Sequence, residues 1–298
     1  MSRIAESEVF VAVVQKQGVS AAARALGCSK SAVSKSVHAL EERLGVRLLQ
    51  RSTRALALTP EGRIFYERAA VALESLRDAE ESVAGGDGPL TGSIRVSLPV
   101  SFGVRYLSPV IATFMAKHPG VEIFASFTDR KVDLVDEGFD LAVRGGRLDA
   151  SSLVARRLAP IQIVIAASPA FAEAHPVTAP EELAELPGLA YRVGGVAPSL
   201  RLLHASAPPA ELRVHGPLVS DNGDMLVAAA RAGLGWVVQP DFLLADDLRS
   251  GALVRLLPEW RGPEAAMWVV YPHRNLLPAR VRAFADALVD AFRTPPWT

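Results

Sequence analysis

Ser29, Lys30, Ser31, Ser34, Lys35 and His38 crowd into the short stretch "SKSAVSKSVH". Hydroxyls and ammonium groups on one helix face can bind phosphate oxygens and base edges, which need donors and acceptors at those positions. A merely solvated face would have similar chemistry, so the pattern needs support from elsewhere in the chain. Catalytic spacings give none. Ser101 lacks the G-x-S-x-G elbow, and "RGGR" and "RVGGVA" are not phosphate loops of the P-loop or dinucleotide kind. The histidines at 38, 118, 175, 204, 215 and 273 are scattered, without metal-ligand spacing. The reading is therefore of a protein that is not an enzyme and uses no metal or cofactor.

Cys28 is the single cysteine, so no intrachain disulfide can form, which fits a reducing cytoplasm. Its place in a turn reads as a small packed residue, not a redox sensor. The opening "MSRIAESEVFVAVVQKQ" has too short an apolar run for a signal peptide core, and no stretch approaches a membrane span. A soluble, cytoplasmic protein is expected. At 298 residues, half of them hydrophobic, the chain suits two or three folded domains. The zero formal charge hides an asymmetry. Residues 1–68 hold 11 Lys and Arg against 6 Asp and Glu, leaving 21 and 26 for the remainder. A basic head on an acidic body points to a nucleic-acid partner for the head.

The elements that must position these groups follow from periodicity and punctuation. A first helix is predicted over 4–17, with Val9, Phe10, Val13 and Val14 buried. Ser20 is taken as the N-cap of a second helix, "AAARAL", with Gly27 as its left-handed C′ residue. Ser29 caps a third helix to about Arg43, and Gly45 stops it. On it Val33, Val37, Leu40 and Leu44 form the apolar face opposite Lys30, Ser31, Ser34, Lys35 and His38. "VRLLQRSTRALALT" reads as a small hairpin, or wing. Thr59 and Pro60 then open a long helix on which Phe65, Ala69, Ala72, Leu76, Ala79 and Val83 repeat with heptad spacing. Two readings compete for that seam: packing on the body, or an intermolecular coiled coil, which is favoured.

"GGDGPLTG" (85–92) is the clearest linker. Beyond it, β-rich runs such as "SIRVSL", "VEIFASF" and "GWVVQ" alternate with helical ones, including a short helix at "KVDLVDEG". That alternation indicates an α/β region.

A helix, glycine turn and helix with a polar outer face is the helix-turn-helix plan. Residues 10–62 resemble the DNA-binding head of the LysR-type transcriptional regulators. The matching elements are "SAAARALG", "S-x-SAVS", "ALEERLGVRLL-x-R" and "R-x-L-x-LTPEG". The resemblance continues through "GSIRVSLPVSFG", "LSPVIATFMAKHPGVEI", "DLVDEGFDLAVRGGRL" and "DNGDMLVAAARAGLGWVVQPDFLLADDL", covering nearly the whole chain. Lys30 departs from the pattern, standing where the family usually has a base-reading glutamine. It either favours guanine or holds a phosphate.

The resemblance implies a winged helix-turn-helix (1–58), a linker helix and hinge (59–90) and an α/β, two-lobed, periplasmic-binding-protein-like effector domain (91–298). Lobe one would join 92–161 to 267–298, and lobe two would be 162–266. The implied partners are a double-stranded DNA operator, a small-molecule effector, RNA polymerase and further copies of the chain, as a dimer and then a tetramer. Ser29, Lys30, Ser31, Ser34, Lys35, His38, Arg51 and Arg54 would contact DNA. Ser101, Phe102, Thr128, Arg144, Tyr191, Asp221, Asn222 and Gln239 would line the effector cleft, with Arg144 and Arg192 hinting at an anionic ligand. The competing reading is a cytosolic small-molecule-binding protein or an enzyme with a two-lobed cleft. It would give no sequence-dependent retention of DNA.

Overall fold

Ser2 starts the first helix, α1 (Arg3–Gln15), by accepting the Ala5 N–H at 3.2 Å, the usual role of an N-cap hydroxyl. The computed structural model describes residues 2–50, 56–83, 88–146, 153–192, 199–272 and 277–297. They form two units, 1–88 and 89–298.

In the first unit, α1 ends earlier than predicted. Gln17 adopts a left-handed φ of 53°, and the Gly18 N–H donates back to the Val13 carbonyl at 3.0 Å. The chain is thereby turned in time for α2 (Val19–Ala25) to start with Gly18 as its N-cap. Ser20 lies inside the first turn, so its predicted capping role is corrected. Gly27 is left-handed as expected, with φ +64°. Ser29 accepts the Ala32 N–H at 3.2 Å and opens α3 (Lys30–Leu44), which ends at left-handed Gly45. Phe10, Val13, Ala22, Val33 and Leu40 are fully buried between these helices. Cys28 is exposed. The packed role expected for it is wrong, because the turn carries its side chain outward.

Leu49 and Leu58 pair antiparallel, closing the base of the wing. Its turn, including Arg51 and Arg54, lies outside the described residues. Thr59 then joins wing to helix. Its hydroxyl donates to the Arg47 carbonyl at 2.7 Å and accepts the Gly62 N–H at 2.9 Å, opening α4 (Pro60–Val83). Phe65 meets Phe10 edge-on, with ring centroids 5.6 Å apart. Phe65, Ala69 and buried Leu73 belong to the head's own core. Ile64, Val71, Ala72 and Leu76 of the same helix are exposed. The backbone of Ala79 and Val83 belongs to α4, and their side chains lie outside the described residues.

The second unit begins β1 (Thr91–Leu98), α5 (Val100–Phe102), a π-turn (Gly103–Leu107), α6 (Ser108–Lys117), β2 (Gly120–Phe127), β3 (Leu141–Gly146) and β4 (Leu153–Ile161). It continues with β5 (Ile163–Ala167), α7 (Pro169–Ala174), α8 (Pro180–Leu183), β6 (Gly188–Tyr191), β7 (Ser199–Leu202), β8 (Ala210–Arg213) and β9 (Leu218–Ser220). Then come α9 (Gly223–Arg231), β10 (Trp236–Pro240), α10 (Asp241–Ser250), β11 (Val254–Arg255), β12 (Ala265–Pro272) and α11 (Ala279–Ala291).

Two five-stranded sheets result, ordered β2-β1-β3-β12-β4 and β11-β5-β10-β6-β9. The chain crosses from the first to the second after Ile161 and returns at Ala265, where β12 runs antiparallel to both β3 and β4. Strand ends of both sheets therefore meet at the crossing. The alternating faces of β1 explain its place in the core, since Ile94, Val96 and Leu98 are all fully buried. One departure concerns "KVDLVDEG". It forms hydrogen-bonded turns over 134–138, not a helix. Asp133 accepts the Val135 and Asp136 N–H groups at 2.9 and 3.0 Å, and this local capture by an Asp side chain competes with helix growth.

Candidate nucleic-acid interface and ligand cleft

The geometry of α3 separates its two faces. Val33, Val37 and Leu40 are buried, whereas Ser29, Lys30, Ser31, Ser34, Lys35 and His38 are exposed. Ser29 and Ser31 share a hydrogen bond of 2.9 Å, and His38 lies 3.3 Å from Glu42. Lys30, Ser34 and Lys35 have no side-chain partner among the described residues, leaving their donors and acceptors for an external one.

Sequence reasoning misses Glu41, which counts there only as an acid offsetting the head's positive charge. Its carboxylate is buried, accepting the Leu48 and Leu49 N–H groups at 2.8 and 3.1 Å with Arg47 at 3.5 Å. It ties α3 to the start of the wing. The available signal is an acid adjoining the apolar stripe Val33, Val37, Leu40 and Leu44.

In the second unit a cavity of about 510 Å³ opens between the two sheets. Ser101, Phe102, Thr128, Arg144, Tyr191 and Gln239 all line it, as do Asp129 and Gly223. Asp221 and Asn222 are not among its lining residues. Asn222 instead caps α9, accepting the Met225 N–H at 2.9 Å, and Asp221 is exposed. The helix start needs a cap, and that role turns the Asn222 side chain along the helix.

Most polar groups at the cavity are held by the protein itself. Arg144 donates to the Ser97 hydroxyl and the Val143 carbonyl, both at 2.7 Å. Burial lowers its pKa below the usual arginine value, with Asp129 opposing. Asp129 accepts the Val100 N–H at 3.2 Å; burial raises its carboxyl pKa, opposed by that N–H and by Arg144. The Tyr191 phenol is pushed up to about 12, chiefly by burial and then by Asp129 and Asp221, so it remains a neutral donor. Thr128 Oγ1 accepts the Arg130 N–H at 3.3 Å.

A second missed group joins the sheets' two sides. The Ser101 hydroxyl donates to Asp224 at 2.5 Å, and Arg105 pairs with the same carboxylate. Tyr106 donates to the Phe242 carbonyl at 2.9 Å. Ser101, Arg105 and Tyr106 belong to the segment after β1, and their partners belong to α9 and α10. Ser101, expected to hold a ligand, is thus engaged across the cleft. No group of three or more His, Cys, Asp and Glu able to hold a metal occurs among the described residues.

Both halves match one family. Residues 4–63 match the profile of the bacterial regulatory helix-turn-helix protein, lysR family, and residues 87–293 match the LysR substrate binding domain. The chain belongs to the LysR family of transcriptional regulators. An uncharacterized HTH-type transcriptional regulator of Haemophilus influenzae is 34% identical over 287 residues, covering 94% of this chain and 98% of that one. The LysR-type regulator CrgA of Neisseria meningitidis has a solved structure that is 30% identical, with a TM-score of 0.61. It covers 97% of this chain and 99% of its own. Full-length AphB of Vibrio cholerae, a virulence activator of the same family, gives 26% identity and a TM-score of 0.61 over 97% and 99% of the two chains. This LysR-type regulator accordingly has a helix-turn-helix DNA-binding part and a two-lobed α/β substrate-binding part. No helix among its described residues is long and apolar enough to cross a membrane.

Proposed function

We propose that this LysR-type regulator reads a double-stranded operator with α3 in the major groove, under control of a small effector in the cleft between the lobes. The observation that carries this reading is the exposed row Lys30, Ser31, Ser34, Lys35 and His38 on a helix whose other face is buried. Arg51 and Arg54 of the wing reach the phosphate backbone or the minor groove. Phosphate contacts give affinity and register, and base-edge contacts give sequence preference. Thr128, Arg144, Tyr191 and Gln239 face the effector. The protein works in the cytoplasm, carries out no catalysis and acts on transcription together with RNA polymerase.

Two heads are needed for a two-half-site operator. Phe65 and Ala69 serve the head's own core, so the self-contact falls to the exposed apolar positions of α4: Ile64, Val71, Ala72 and Leu76. A second self-contact, giving a tetramer, is supported by edge strand β2, which leaves Phe124 58% and Phe127 41% exposed. Unpaired edges with apolar side chains are ready pairing surfaces.

Leu76→Asp tests the dimer. A carboxylate facing its symmetry mate in a desolvated stripe costs several kcal/mol. Sedimentation of the full chain is expected to show dissociation, with loss of binding to a two-half-site operator at the same protein concentration. Normal assembly with normal binding would assign α4 to the head alone.

A further inference from the structure

We propose that the cleft takes an uncharged, largely apolar molecule whose hydrogen-bond acceptor is met by the Gln239 side-chain amide. This rests on the reading of the cleft as an effector site and adds the chemical class of its occupant. Gln239 is only 3% exposed, lines the cavity, and its Nε2 has no hydrogen-bond partner among the described residues. Buried donors are rarely left unpaired, so an unmatched amide in a cavity wall marks where an occupant supplies the acceptor. Gln239 is the next-to-last residue of β10, close to the start of α9, where Gly223 leaves room for it: a Cβ there would sit 3.0 Å from Gln239 Oε1.

The rest of the wall sets the body of the ligand. Phe102, Ile163, Leu189, Val238, Leu243 and Met267 surround the same space. Apolar walls with few convergent polar groups are the general form of small-molecule sites, and about 510 Å³ lies within their usual range of roughly 300–1,000 Å³.

The charges decide against an ion. Arg144 is already engaged by Ser97, Val143 and the field of Asp129. Asp129 in turn feels Asp221 and Asp224. An anion entering beside Arg144 meets these carboxylates without gaining a cation that lacks partners. A cation meets Arg144. Arg192, the other cation that hinted at an anionic ligand, is exposed and does not line the cavity. A neutral carbonyl avoids both penalties and completes Gln239.

Three probes with one phenylalkyl body separate the cases: 4-phenylbutan-2-one, 3-phenylpropanoate and 3-phenylpropan-1-amine, titrated calorimetrically into the full chain. The ketone is expected to bind at least about tenfold more tightly than either ion. Gln239→Met keeps the side-chain length and removes the amide, and should weaken the ketone by about five- to tenfold, the worth of one neutral hydrogen bond. If a thermal melt shows that Gln239→Met does not fold, Gln239→Leu, which also lacks the amide donor, replaces it and should weaken the ketone by the same factor. Tightest binding by the anion, no discrimination among probes, no binding of any probe, or equal ketone affinity in wild type and variant would each overturn the proposal. Failure of effector control is distinguishable. Probes that bind in the expected order but leave operator affinity unchanged at saturation would remove the regulatory reading and leave the ligand class standing.

Discussion

Gly62→Ala is expected to destabilise the head by about 3 kcal/mol, the upper end of overpacking costs, and to weaken operator binding about tenfold. A Cβ at this position would lie 2.0 Å from the Leu48 carbonyl oxygen and 2.8 Å from its carbon. The obstacle is backbone, so no side-chain rotation relieves it. That same carbonyl accepts the Thr59 N–H at 3.0 Å, and Glu41 holds the Leu48 N–H. The first turn of α4 and the base of the wing are therefore pressed together at a strand fixed on both sides. Relief requires moving the wing, which carries Arg51 and Arg54. Hydrogen exchange of the Leu48, Leu49 and Gly62 amides in the full chain would report the displacement. Gly18→Ala is the control: its φ of 163° is ordinary extended backbone and nothing lies within 4 Å of an added Cβ. It should cost no more than about 1 kcal/mol, the difference between glycine and alanine as the N-cap of α2. Equal melts for the two variants would contradict the packing described here.

The second large effect is the salt dependence of operator binding. Lys35, Arg51 and Arg54 from each of two heads would neutralise six phosphates. Each neutralised phosphate releases counterions, giving a slope near −0.9 per phosphate and about −5 in total for log K against log salt. Raising salt from about 50 to 200 mM should therefore lower affinity on the order of 10³-fold. Arg51→Ala should weaken binding to every sequence alike and flatten the slope by about 0.9 for each phosphate that is no longer neutralised. A flat response would remove the electrostatic basis for binding by the head, whatever the chain's zero net charge suggests.

What was legible in the sequence was mostly local. Gly27, Ser29 and Gly45 bound α3 because capping and left-handed glycines act within a turn of their own position. Thr59 and Pro60 mark the start of α4 for the same reason. The structure departs from the sequence pattern where one local signal has two uses. Ser20 has a capping side chain, but the left-handed Gln17 had already turned the chain, so the helix began before it. Asp133 belongs to a helix-like pattern, yet its carboxylate captured the N–H groups that a helix would have used.

The cleft was legible to the extent that strand ends are. Thr128 closes β2, Arg144 lies in β3 and Gln239 in β10, and all three reach one cavity. Asn222 closes a strand-to-helix turn in the same way, but its side chain was needed as a cap. Arg105 and Asp224 stand 119 positions apart, and no periodicity relates them. Their pairing depends on how two sheets face each other, which only the folded chain displays. Glu41 lies between these extremes, near its partners in sequence but recognisable only once the wing is seen to return over α3.

Selection of bound sequences from a random pool of duplex DNA by the full chain tests most directly whether α3 reads an operator. The wild type should enrich a dyad motif with half-sites one helical turn, or a multiple of it, apart. Lys30→Ala and Ser34→Ala should change which bases are preferred within each half-site, and Arg51→Ala should enrich the wild-type motif with lower affinity. A pool that emerges without a shared motif, or with the same motif for wild type, Lys30→Ala and Ser34→Ala, would contradict base reading by this helix.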